Sequence, residues 1–342
     1  MNIFISSSSL RELCIEEGCK DANEQLEWFW VISQQNKIFL DESIPDELDP
    51  DDPLFIFSLN YCGDFEKSPD NFNSPNTSDY NFLDSSQSAY LLDTNPDRAK
   101  NIQQKYGVIC QSTRDLSICP LVERAKLWSL DTEERNHSWK ELFQSDTKVP
   151  SNALIIIDRY LFSYDGDSSF VDGINNIKQI LSSAIPRTLE CPYQVLILFD
   201  ETKNDRNFSM EYFREELCPF VEEELGLSFP VEIELLSINK ACNNYGDTHN
   251  RRILMNYAVV STDHLLKAFR SDGRSVICDQ DIKIEYLYSG GLYDRSDASD
   301  KKTRKLLKRI RALANDRHSK YYRILSTHAT QHVTNRLICS KN

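Results

Sequence analysis

Two short, almost uninterrupted apolar runs, at residues 153–157 and 193–199, constrain this chain more than any other feature. The first ends in Asp158 and the second in Asp200-Glu201. Successive side chains on a strand point to opposite faces, so a run apolar at nearly every position reads as a strand covered on both sides. Between the runs, Ile174, Ile177, Ile180 and Leu181 recur on one face of a helix over 173–183. A second helical segment at 209–225 leads to a third strand at 231–237. Strand, helix, strand, helix, strand is the order of parallel strands joined by right-handed crossovers. The expected fold class is therefore α/β: a mostly parallel sheet flanked by helices, with a mixed, mainly helical N-terminal region. Further strands are expected at 257–261 and 282–288, with a short helix capped by Thr262 or Asp263 between them and a turn at 289–291.

The N-terminal region begins with a strand over 1–5. Ser9 is a candidate cap for a helix from Leu10, with Glu12 completing a capping box. Leu26, Phe29, Trp30 and Val31 mark a second helix, and 38–40 another strand. From 45 to 96 the composition turns to Asp, Asn, Ser and Pro, and 62–89 reads as a long surface excursion. Helical material is expected around 97–106 and 119–143. Three parts follow: an acidic N-terminal domain over 1–145, an α/β domain over 150–295, and a basic helical segment over 296–342.

Charge separates these parts. The 342 residues carry a net charge of -14, but residues 1–100 hold 20 acids against 6 bases, and residues 301–342 hold 12 bases against one acid, Asp316. Overall acidity excludes a protein that coats DNA by charge alone, whereas a local basic surface can still grip a phosphate backbone. The helix expected at 298–316 carries Lys305 and Arg309 among its cations, with Tyr321 and Tyr322 close behind. Its candidate partners are nucleic acid, the acidic front of the same chain, another protein, or a second copy in a homo-oligomer.

Ten cysteines include no Cys-x-x-Cys pair, which favours reduced, packed thiols over structural zinc. The sequence lacks a basic start followed by a long apolar run, and no window is long enough to span a bilayer, so the expected location is cytoplasmic, with no membrane partner. The glycine fingerprint of a nucleotide site is missing, and no cofactor is expected.

The chemistry concentrates at 249–256, His-Asn-Arg-Arg-Ile-Leu-Met-Asn. A histidine, a cation two residues later and a polar acceptor seven later can form a phosphate site. This order resembles half of a phospholipase D-like active site, and most closely the variant of that superfamily found in the MIT C-terminal domain, where arginine stands in the lysine position. The resemblance implies His249 as nucleophile or acid, Arg251 as phosphate clamp and Asn256 in the acidic position, with Arg252 extending the clamp. Asn256 lacks the charge of an aspartate, so binding is favoured over cleavage. The second half-site that such enzymes need would come from His318-Ser319-Lys320, although Leu325 stands where an acceptor is expected, or from a homodimer. Similar modules accompany prokaryotic conflict systems, which implies a nucleic-acid or partner-binding component of antiviral defence. The alternatives are a nuclease or phosphodiesterase acting through His249, a metal-dependent one built on Asp158, Asp200 and Glu201 with Asp172 or Asp205, and a structural assembly subunit.

Overall fold

A computed structural model of the chain describes residues 1–20, 26–35, 37–42, 48–61, 63–67, 82, 87–116, 118–123, 125–130, 138–144, 149–164, 169–246, 251–270, 280–289, 299–326 and 332–339. The chain folds into α/β architecture with two sheets. The first contains β1 (Asn2–Ile5), β2 (Lys37–Leu40), β3 (Asp64–Lys67), β4 (Ser88–Leu92) and β5 (Ile109–Ser112) in the order β3-β2-β1-β4-β5. Every pairing in it is parallel.

The N-terminal region is mixed, with β1 and β2 where strands were expected over 1–5 and 38–40, and the addition is that five strands join there into a complete parallel sheet. The other three, β3, β4 and β5, are four or five residues long, too short for apolar alternation to stand out among the acids. Helices α1 (Ser7–Gly18), α2 (Glu27–Ser33) and α3 (Pro53–Asn60) bury Leu10, Leu13, Trp28, Val31, Leu54 and Phe57 in one core cluster with Ile3 and Ile5. Helix α4 (Pro96–Tyr106) contributes Ala99 and Ile102 to another cluster, with Phe4 and Tyr90. Ser6, not Ser9, caps α1: its hydroxyl accepts the amide of Ser9 at 3.1 Å, so the helix begins a turn earlier than expected. Of the expected 62–89 excursion, residues 62, 68–81 and 83–86 lie outside the described residues.

The larger sheet contains β6 (Lys126–Leu130), β7 (Ala153–Ile157), β8 (Tyr193–Asp200), β9 (Val231–Ile238), β10 (Arg251–Met255), β11 (Ala258–Thr262), β12 (Gln280–Tyr286) and β13 (Lys320–Leu325). Their order is β13-β9-β8-β7-β10-β11-β12-β6. β7, β8 and β9 are parallel, as their apolar runs predict, and every residue in them is buried. The other pairings are antiparallel, which corrects the mostly parallel sheet to a mixed one. The physical reason is connection length: β10 and β11 are joined by two residues, enough for a hairpin but not for a crossover. Of the helical material expected around 119–143, α5 (Trp139–Gln144) is present while β6 takes an earlier part as a strand, and β13 lies just beyond the basic helix. The sheet thus draws strands from all three segments expected from the sequence.

Strand alternation divides the sheet's side chains between two covers. Leu154, Ile156, Val195 and Ile197 pack with Ile174, Ile177 and Ile180 of α6 (Phe170–Ala184) and with Phe213 and Leu217 of α7 (Met210–Pro219). α6 starts in a capping box formed by Ser169 and Asp172. On the opposite face, Ile155, Ile157, Leu196, Leu198 and Leu236 pack with Leu306, Leu307, Ile310 and Leu313 of α8 (Ser299–Ala314) and with Leu337 and Ile338 of α9 (Arg336–Cys339). The apolar stripe of the basic helix is therefore core. The cations Lys301, Lys302, Lys305 and Lys308 are left on its exposed side.

The two sheets meet around the β10–β11 turn. Tyr257, Tyr286 and Tyr288 join the cluster beneath the N-terminal helices, and the Tyr257 hydroxyl donates to the carbonyl of Ser88 and accepts the amide of Ile109. Gly107, with φ of +62°, closes α4 here, and a Cβ on it would stand 2.4 Å from the carbonyl oxygen of Ser151. Glycine is required both by the left-handed backbone and by this approach. Among the described residues, no helix is long and apolar enough to cross a membrane.

Candidate functional site

The carboxyl ends of parallel strands are the usual ligand side of such sheets, because the connections to the following helices open there. At this edge β7 runs into the loop carrying Asp158, Arg159, Tyr160 and Tyr164, and β8 runs into Asp200, Glu201 and Lys203. β10 is antiparallel to β7, with Arg252 opposite Ile157, so its first residue, Arg251, arrives at the same edge. β13 likewise brings Lys320 opposite Ser237 near the end of β9.

The acids of this edge are engaged. Asp158 accepts the amide of Tyr160 at 2.9 Å and that of Leu266 at 2.8 Å, and burial pushes its carboxyl up despite these bonds and the nearby Arg251 and Lys267. Asp200 accepts from the amide and hydroxyl of Thr202, from Arg159 Nη2 at 3.3 Å and from the Tyr245 hydroxyl at 2.5 Å. The Arg159 guanidinium stacks on the Tyr245 ring at 3.7 Å. Glu201 pairs with Lys320 at 2.8 Å. Asp158, Asp200 and Glu201 are not gathered as one metal set. Each carboxylate already serves backbone amides, a hydroxyl or a cation, and among the described residues no group of three donors converges on a metal position. Of the two further acids, Asp172 caps α6 and Asp205 accepts the amide of Asn207.

The outer members are cations gathered on one aromatic ring. Arg251 lies 5.6 Å and Lys203 lies 5.9 Å from the centre of the Tyr160 ring, both half-buried. Neither pairs with a carboxylate of the described residues. Tyr164, on the same loop as Tyr160, is 66% exposed. Asp200 compensates Arg159, so Arg251 and Lys203 supply the open positive charge. Lys203, Tyr160 and Tyr164 were not singled out from the sequence. The signal was present as Asp-Arg-Tyr immediately after a buried strand.

The residues of the 249–256 segment separate. His249 lies outside the described residues. Arg251 and Asn256 stand at opposite ends of β10, which at ~3.3 Å per residue puts them roughly 16 Å apart. Asn256 is fully buried. Its Oδ1 accepts from the Ser151 hydroxyl at 3.1 Å and from the amides of Asn152 at 3.0 Å and Ala153 at 3.1 Å, and its Nδ2 donates to Asn152 Oδ1. An acceptor of this kind ties the start of β7 to the end of β10, and Asn256 therefore shares no site with Arg251. Arg252 does not extend the clamp either. Its neighbours Ile253 and Leu254 belong to opposite covers, and Arg252 shares the face of Leu254, away from Arg251. Burial lowers its guanidinium's pKa.

His318 and Lys320 reach the same edge as Arg251, but β13 and β10 are four strand positions apart. At ~4.8 Å per strand this is roughly 19 Å, too far for both to hold one phosphate. Lys305 and Arg309 belong to α8, on the outer side of the opposite cover. The two tyrosines behind them are occupied: the Tyr321 hydroxyl donates to Glu234, and Tyr322 packs against the α6–α7 side of the core.

No family model matches the sequence, and no curated protein matches it.

Proposed function

We propose that the carboxyl edge of the larger sheet binds single-stranded nucleic acid, with Arg251 and Lys203 on its phosphates and Tyr164 stacking on a base. The observation that carries this reading is the pair of cations on the Tyr160 ring, neither ion-paired with a carboxylate among the described residues, beside an exposed tyrosine. Cations that track a backbone and aromatic rings that accept any base are the two requirements for holding a single strand. The resemblance of 249–256 to a phospholipase D-like half-site supports the same role for Arg251. Recognition is favoured over hydrolysis because the acidic position of that motif is taken by a structural amide 16 Å away by the strand-rise estimate. On this reading the protein contributes nucleic-acid recognition to a prokaryotic defence system.

The test is fluorescence anisotropy with a labelled single-stranded oligonucleotide across a salt series. Replacing Arg251 and Lys203 with Ala weakens binding about tenfold and lowers the salt slope by about 1.4, the share of two phosphate contacts on a single strand. Tyr164→Ala weakens binding with the slope unchanged. An affinity and slope indifferent to all three substitutions sink the proposal.

A further inference from the structure

A cavity of about 610 Å³ opens between α1, α2 and α3, far in sequence from the cationic edge. Its volume lies within the ordinary range of small-molecule sites. Phe29, Phe57 and Tyr61 line it as one aromatic group, with Phe57 edge-on to Phe29 at 5.4 Å and stacked on Tyr61 at 5.3 Å. Ile15 and Ile56 also line it, 55% and 59% exposed, so apolar surface continues to the opening. Among the described residues, Glu17 and Asp51 are the charged ones in the lining. Arg11 on the same helix is held by Asp52 and Glu42 and does not neutralise them.

Tyr61 closes the inner end of this aromatic group. It is only 8% exposed, and its hydroxyl is buried with no hydrogen-bond partner among the described residues. Cys14, also in the lining, does not supply a nucleophile, since burial pushes its thiol up to about 12.

We propose that this cavity binds a small amphiphilic cation, its apolar body against Phe29, Phe57 and Tyr61 and its ammonium group facing Glu17 and Asp51. Aromatic faces and carboxylates both favour a positive head, and the aliphatic residues at the opening favour an apolar body. An anion of the same shape is rejected by the two acids. The site is independent of the nucleic-acid reading, and either can fail alone.

Isothermal titration of the full chain with phenylbutylammonium, phenylbutanol and phenylbutyrate tests it. The ammonium compound binds about tenfold tighter than the alcohol, and the carboxylate binds weakest. Glu17→Gln together with Asp51→Asn brings the amine and the alcohol to similar affinity. Ile56→Lys, at an exposed position that the fold tolerates, abolishes amine binding, whereas Leu127→Lys, equally exposed on β6, leaves it unchanged. Absence of binding by all three probes, a preference for the alcohol or the carboxylate, or amine binding that survives Ile56→Lys overturns the proposal.

Discussion

The two ends of β10 differ in what they do with polar groups. At the amino edge of the β7–β9 strands, Asn256 is fully buried and its amide bonds to three donors and an acceptor. At the carboxyl edge, Arg251 is half-buried and rests on an aromatic ring without a carboxylate partner among the described residues. One short sequence segment thus supplies a structural fastener at one end and open charge at the other. The difference teaches that a motif read along a chain can be divided by a strand between two unrelated tasks.

Asn256→Ala would test the fastener most severely. It removes the acceptor of two buried amides, while the Ser151 hydroxyl keeps the Ala153 carbonyl and the Tyr193 hydroxyl, and is expected to cost about 3–5 kcal/mol in urea unfolding. Asn256→Asp restores the acid of the phospholipase D-like pattern, yet it removes the donor to Asn152 and buries a charge. It is expected to destabilise the fold without conferring phosphodiester cleavage. Cleavage gained by that variant would break the comparison, because the two ends would then belong to one site.

Gly173→Ala acts closer to the open edge. A Cβ there would meet the Leu161 carbonyl oxygen at 1.9 Å, so α6 must shift against the loop that carries Tyr160 and Tyr164. The expected loss is about 2–3 kcal/mol by thermal or chemical unfolding, accompanied by weaker oligonucleotide binding. The Arg251→Ala, Lys203→Ala variant shows the reverse pattern: binding falls while the unfolding midpoint stays in place. Smallest of all is the effect of a chelator, which leaves binding unaltered because the edge carboxylates are already engaged. A chelator-sensitive affinity would restore the metal reading.

What was legible in the sequence follows from burial. β7, β8 and β9 are covered on both faces, so their composition alone marks them. The apolar stripe of α8 was equally plain, and it is core. The strands of the first sheet were not plain as a set, since four or five residues carry too little period. β13 was hidden by its charge, because an edge strand with half-buried residues needs no apolar run. For the site, one arithmetic check was available. Arg251 and Asn256 differ by an odd number of positions, so a strand through them points their side chains to opposite faces. No such rule brings Lys203 to Tyr160, since that meeting depends on β8 lying beside β7.

The position of α8 has a consequence in time. The sheet face containing Ile155, Ile157, Leu196 and Leu198 is synthesised before Leu306, Leu307, Ile310 and Leu313, which cover it. At ~5–20 residues per second, that face waits on the order of 5–20 s for its cover, a period in which the nascent chain presents bare apolar surface to chaperones or to its neighbours. Deleting residues 301–342 to ask whether their lysines touch nucleic acid would make that interval permanent. The product would be an aggregating chain, and the lysines of α8 must be replaced singly to be judged.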